Sequence, residues 1–280
     1  MTDRKLADRL LDHQRAELGQ SERFRTASLL LQFAVALAAA ASVFVDDHNE
    51  LLWLAIVGVF VLIAWFVTDY FYRRHRGAGD QARRLLLIMN GLGELVGDYN
   101  VIESSFTASL DNLSSQSVDT YFASRAPPSF ARLGEMLDES AFFTADLQGL
   151  SGQVMILALL ATAGLVVMLG LVFGPSLNAD GQVAAARVIL SFLVLVMSSD
   201  VLGAAFGHFE AHRAMEGIRL RLSAARRLNY PHGDVLQAMA DYNAAVEGAL
   251  QPLAFLYEAR RKDLDQSWAT YKQETGLGGG

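Results

Sequence analysis

The chain has 280 residues, 52% hydrophobic and 19% charged, with no cysteine and a formal net charge of −7 from 23 basic and 30 acidic side chains. The lack of cysteine excludes disulfide scaffolds, thiolate zinc sites and cysteine nucleophiles, and the acidic balance argues against nucleic acid as a partner. Residues 28–68 and 153–206 are nearly free of charge, each block broken once by a short polar patch, and the rest is ordinary mixed-charge sequence. That is the profile of a membrane protein that crosses the bilayer more than once and carries large polar parts.

Residues 1–27, with Leu6, Leu10 and Leu11 among alternating charges, predict an amphipathic helix. SLLLQFAVALAAAASVFV, 28–45, is the first predicted span, and its length reaches about 27 Å, close to a bilayer core. The five acids and six bases before it are too many and too mixed for a signal-peptide leader. DDHNE interrupts, and a second span follows over about 51–70. Trp53, Trp65, Tyr70 and Tyr72 lie near its ends, where amphipathic rings favour the interface. The first hairpin is therefore 28–72.

The segment 73–152 reads as a helical insert. Ile102, Phe106, Leu110 and Leu113 recur at helical spacing and predict one helix. SRAPPS then breaks the chain, and Pro127 and Pro128 suit the start of another helix. On it Phe130, Leu133, Leu137, Ala141 and Leu147 form one apolar face, predicted to continue into a third span over about 154–173. GPSLNADG makes a turn, and a fourth span over about 183–206 completes a second hairpin, 153–206. In the tail, 207–275, Val235, Met239, Tyr242 and Val246 share a helix face. After Pro252 come Leu253, Leu256, Tyr257, Leu264, Trp268 and Tyr271; GLGGG, 276–280, reads as flexible. No strand alternation stands out, so the predicted fold is all-α: four transmembrane helices in two hairpins, plus cytoplasmic helices.

Basic residues near span ends set orientation. Arg15, Arg23 and Arg25 precede the first span, and Arg73, Arg74, Arg76, Arg83 and Arg84 follow the second. Arg132 lies before the third, and Arg213, Arg219 and Arg221 follow the fourth. The two short connections hold acids, with Arg187 at the edge of the fourth span. Both termini and the insert are thus expected in the cytoplasm. A frame also recurs: ARRLLLIMNGLGELVGDYN, 82–100, and ARRLNYPHGDVLQAMADYN, 225–243, agree at seven of nineteen positions. It reads either as a duplicated unit under each hairpin, with its arginines at lipid phosphates, or as two juxtamembrane helices meeting the same need.

Little in the chain points to catalysis. MNGLGELVGD, 89–98, lacks the preceding strand and the Lys of a phosphate loop. HFEAH, 208–212, puts two imidazoles four apart without the order of a zinc protease. No metal or cofactor is called for, and the reading is non-enzymatic. Asp200, with Ser198 and Ser199 beside it, lies inside the fourth apolar block. An ionisable group there costs about 2.5–3.5 kcal/mol if it faces mid-bilayer lipid, so it lines a polar path or anchors the helix end. In YFASRAPPSFARL, 121–133, Tyr121, Phe122, Arg125 and Arg132 are candidates for an anionic ligand, since guanidinium forks suit phosphates and rings stack on bases.

The order of these parts resembles a known family. RLLDHQRAELGQSERFRTASLLLQ, 9–32, and YFASRAPPSFARLGEMLDESAFFTADL, 121–147, are similar to segments of the SMODS-associating four-transmembrane effectors, the pore-forming proteins of bacterial nucleotide-signalled antiphage systems. The resemblance implies a homo-oligomer that permeabilises the lipid bilayer when a partner nucleotidyltransferase supplies a cyclic nucleotide. The rival expectations are a small ion channel or transporter, and a membrane scaffold that recruits a cytoplasmic protein.

The arginine asymmetry predicts a topology. Reporter fusions after Thr26, Gly79 and Leu277 should register cytoplasm, and a fusion within 46–50 should register the periplasm. A periplasmic Gly79 would overturn the two-hairpin arrangement.

Overall fold

The structure is a computed structural model. It describes every residue except 1, 2, 43, 44, 46, 95, 96, 111–116, 174–177, 199, 200 and 276–280. The described residues form only helices: α1 (Asp3–Ala41), α2 (His48–Leu92), α3 (Tyr99–Glu103), α4 (Val118–Tyr121), α5 (Phe130–Phe173), α6 (Ala179–Ser198), α7 (Val201–Arg227), α8 (His232–Gly248) and α9 (Ala254–Thr275). They divide into two units. One comprises Met1–Gln20, Arg74–Gly152 and Phe206–Gly280; the other comprises Ser21–Arg73 and Gln153–Ala205. Helices α1, α2 and α5, of 39, 45 and 44 residues, each run unbroken through both.

The second unit wears its apolar side chains outside. Leu30, Phe60, Leu157 and Leu171 are 64%, 67%, 68% and 73% exposed. A water-soluble protein does not leave contiguous apolar surface of this extent uncovered, because each large side chain forgoes about 1.5–3 kcal/mol of burial. Three helices among the described residues are long and apolar enough to cross a membrane, on 5–41, 48–92 and 130–168. Hydroxyls within these runs bond to their own helix. Thr68 Oγ1 donates to the Ala64 carbonyl at 3.1 Å and Thr162 Oγ1 to that of Ala158 at 2.7 Å, which satisfies these two donors within their own helices. The fourth apolar block falls on α6 and the start of α7, with 199 and 200 outside the described residues.

The first unit is an ordinary helical core. Leu10 and Leu11 of α1, Leu86 and Leu87 of α2, and Leu133 and Leu137 of α5 meet Met215 and Ile218 of α7 and Val235 of α8, all at or below 1% exposure. The faces expected on the amino-terminal helix, on α5 and on α8 are thus the faces that pack. Helix α2 stops at Gly93, whose φ of 73° suits a residue without Cβ and whose N–H donates to the Met89 carbonyl. Ser129 caps α5, its Oγ accepting the Arg132 N–H at 3.2 Å. Asn229 and Tyr230, with φ of 57° and 53°, turn α7 into α8. The buried Tyr230 ring lies over Gly134, where a Cβ would stand 2.5 Å from it.

Two expectations change. The helix expected over 102–113 does not form across its described part, 102–110: α3 ends at Glu103 because Ser104 and Ser105 turn their hydroxyls back onto the Val101 and Ile102 carbonyls, each at 2.6 Å. Phe106 is still buried, stacked on His13 at 4.6 Å, and Leu113 lies outside the described residues. The recurring ARRL frame does not repeat in local structure. Its first copy stays helical to Leu92 and breaks near its middle, whereas the second breaks directly after Arg227. Tyr99 opens the five-residue α3, while Tyr242 is buried in the middle of the seventeen-residue α8.

Candidate functional site

The residues singled out between α4 and α5 are close in sequence but hold different posts. Phe122 is buried in the core, and Tyr121 stands half out of it, edge-on to Phe122 at 4.8 Å. Arg125 Nη1 donates to the Phe122 and Ser124 carbonyls at 2.6 and 3.3 Å. Arg132 donates to the Ala126 carbonyl at 2.8 Å and to Asn90 Oδ1 at 2.7 Å. Arg125 therefore braces the 122–129 loop from within, and Arg132 ties it to α5. Burial, with Arg125 nearby, draws the Arg132 pKa down. Of the residues marked in the fourth block, Ser199 and Asp200 lie outside the described residues, and Ser198 is the last residue of α6.

Convergent polar chemistry lies one to two turns further along α5. Asp138 is fully buried among Leu133, Leu137 and Ala141. Arg226 of α7 donates to its Oδ2 at 2.7 Å and Tyr271 of α9 donates to the same oxygen at 3.2 Å, while Arg219 Nε lies 3.7 Å from Oδ1. The Arg219 guanidinium lies over both the Phe142 and Tyr271 rings, 4.7 and 4.8 Å from their centroids, while the rings stack on each other at 5.7 Å, a cation–π geometry. Trp268 stacks on Tyr271, and Arg226 Nη1 also caps the Thr275 carbonyl at 3.2 Å. One carboxylate thereby joins α5, α7 and α9. Burial pushes the Asp138 pKa up, and Arg226 and Arg219 pull it back down. Removing one partner of such a buried pair costs about 3–5 kcal/mol, because a charge is left stranded.

Its neighbour Glu139 faces the loop. Glu139 Oε2 accepts the Ala123 N–H at 2.8 Å, and Ser124 Oγ donates to Glu135 Oε2 at 2.5 Å. Burial raises the Glu139 pKa to about 7, against the Ala123 hydrogen bond, Lys272 and Arg125, which lower it.

Two further polar joints complete the unit. Glu17, with no exposed surface, accepts the Thr107 and Ala108 N–H groups at 2.5 and 2.8 Å and lies 2.5 Å from His75 Nδ1. On α2, Asp80 pairs with Arg76 at 3.0 Å and Arg83 at 3.1 Å, and Arg76 caps the end of α8 through the Val246 carbonyl at 2.8 Å. His208 bonds the Gln148 side chain and His212 Nδ1 lies 2.8 Å from the Ala145 carbonyl, so both imidazoles of HFEAH bind α7 to α5. Among the described residues no three His, Asp or Glu side chains converge as a metal site.

The sequence reading missed the joint. One of the two readings of the recurring frame places its arginines, Arg226 among them, at lipid phosphates; Asp138 takes Arg226 instead. The signal was available: Asp138, next to Leu137, borders the apolar face of α5, and an acid at that register needs a partner. No family model, curated protein or solved structure matches the chain.

The Glu139 carboxyl predicts a pH dependence. It keeps its proton to about pH 7 when folded and loses it near 4.5 when unfolded. Its contribution to stability is therefore full below pH 4.5 and fades as pH rises towards 7. Thermal melts from pH 5 to 8 should show the parent losing up to about 3 kcal/mol relative to Glu139→Gln, at about 1.36 kcal/mol per pKa unit. Parallel melting curves would place the carboxyl in water.

Proposed function

We propose that the chain is an inner-membrane effector of bacterial antiphage defence, which oligomerises and permeabilises the bilayer when its cytoplasmic helices take up a signal. One observation carries this reading. Helices α1, α2 and α5 extend without a break from a polar, ion-paired unit into segments apolar enough to cross a membrane. A helix is stiff over this length, so a change of packing at one end reaches the other as rotation or tilt rather than being absorbed by a linker. Such a body is suited to control its spans.

The reading includes four spans in two hairpins, with α6 and the first turns of α7 supplying the last, and both termini in the cytoplasm. Oligomerisation follows from the poverty of polar groups in the spans. Asp200 and its serines offer too little polar surface for one copy to enclose a wet path. The resemblance to the four-transmembrane effectors makes a cyclic nucleotide the first ligand class to test. Because Arg125 and Arg132 are bonded to loop carbonyls and Asn90, an anion binding there has to displace those contacts, and that displacement would itself move α5.

Protein reconstituted in dye-loaded vesicles should release dye with one of a panel of cyclic di- and trinucleotides and stay tight with the linear forms. Asp200→Asn should assemble equally and release at least several-fold less. Tight vesicles with every member of the panel would overturn the nucleotide-gated reading and favour a scaffold.

A further inference from the structure

The link between α8 and α9 leads to a surface that the first unit leaves uncovered. This link is tied to α5 at two points. Gln148 Nε2 donates to the Leu250 carbonyl at 3.1 Å, and the Leu253 N–H donates to Ser151 Oγ at 3.1 Å. Gln148 and Ser151 are both buried, so these ties are shielded from water. Immediately afterwards Phe255 is 61% exposed and Tyr257 41% exposed, on either side of the buried Leu256. Helix α9 then runs back along α5. Arg260 pairs with Asp146 at 3.3 Å, the Trp268 ring lies 5.2 Å from that of Phe142, and Tyr271 reaches Asp138. The apolar run of α5 leads in the opposite direction, starting at Val154, three residues or about 5 Å past Ser151 on the same helix.

We propose that the first turn of α9 is a lipid contact, with Phe255 and Tyr257 seated in the headgroup layer and Arg261 and Lys262 on lipid phosphates. This rests on α5 being a membrane span. Aromatic rings with one apolar and one wet side favour that layer. Lys and Arg stems lie along apolar surface while their heads reach phosphate. Arg261 and Lys262 are both exposed, about one turn beyond Tyr257. Lipid is favoured over a protein partner because the link is bonded to Ser151, three residues before the apolar run of the same helix. Glu258, Asp263 and Asp265 offset Arg261 and Lys262 in net charge, so the aromatic rings carry the contact and the two basic heads only supplement it. The consequence is a second attachment: α9 would rest on the bilayer at one end and close on Asp138 at the other.

Because the chain has no cysteine, one label can be placed without other changes. Phe255→Cys, Leu160→Cys and Glu274→Cys would each carry a nitroxide in vesicles containing phosphatidylglycerol. Access to oxygen against access to a water-soluble nickel chelate then reports depth. Leu160 is exposed on the apolar run of α5, and Glu274 lies at the far end of α9. The oxygen-to-nickel ratio should fall in the order Leu160, Phe255, Glu274, with Phe255 several-fold above Glu274. A Phe255 label as wet as Glu274, beside a lipid-like Leu160, would overturn the proposal. So would a Phe255 label shielded from both reagents, which would mean a protein partner or a second copy on this surface. A wet label at Leu160 would remove the membrane reading itself.

Discussion

Hydrocarbon offers no water to a peptide group, so a chain that enters it must satisfy every N–H and C=O within its own segment. Helices are the solution this sequence takes, and no strand occurs among the described residues. Nothing then requires the helix to stop at the membrane surface: the next residue continues the same hydrogen-bond ladder at no extra nucleation cost. Helices α1, α2 and α5 continue in this way, and the polar unit is assembled from their extensions together with α7, α8 and α9. What changes along each helix is the character of its faces, from apolar all round to one apolar stripe.

That change explains why the first unit depends on buried charge. A helix extended from a span carries its polar residues into a packed core unless each finds a partner. Asp138 draws Arg226, Arg219 and Tyr271; Asp80 draws Arg76 and Arg83; Glu17 takes His75 and two backbone amides. Such pairs add little net stability over well-packed apolar residues, but losing one partner is costly. They therefore serve better to fix one arrangement of helices than to hold it strongly. Under the proposed function, a second arrangement of helices would have to supply each of these charges with another partner.

Composition and periodicity made the helical class and the apolar segments legible, because length and hydropathy are local properties. The faces of α5 and α8 were legible for the same reason: Leu133 with Leu137, and Val235 with Tyr242, announce their burial by spacing alone. The failures were non-local. Ile102 to Leu113 has helical spacing, but two serine hydroxyls and the Glu17 carboxylate take over the backbone groups that the helix would have used. Arg226 resembled a membrane-surface arginine because its partner, Asp138, lies 88 residues away in sequence. Arg125 and Arg132 looked free to bind an anion because loop carbonyls, their actual acceptors, leave no mark in the side-chain pattern.

Helices α1, α2 and α5 are unbroken from the polar unit into the apolar segments, and amide hydrogen exchange tests that continuity. With the protein in lipid nanodiscs, peptides covering residues 70–77 of α2 and 149–156 of α5 should exchange as slowly as the helix on either side of them. Exchange within seconds in both peptides, between protected flanks, would mean that the polar unit hangs from flexible tethers, and would contradict the account.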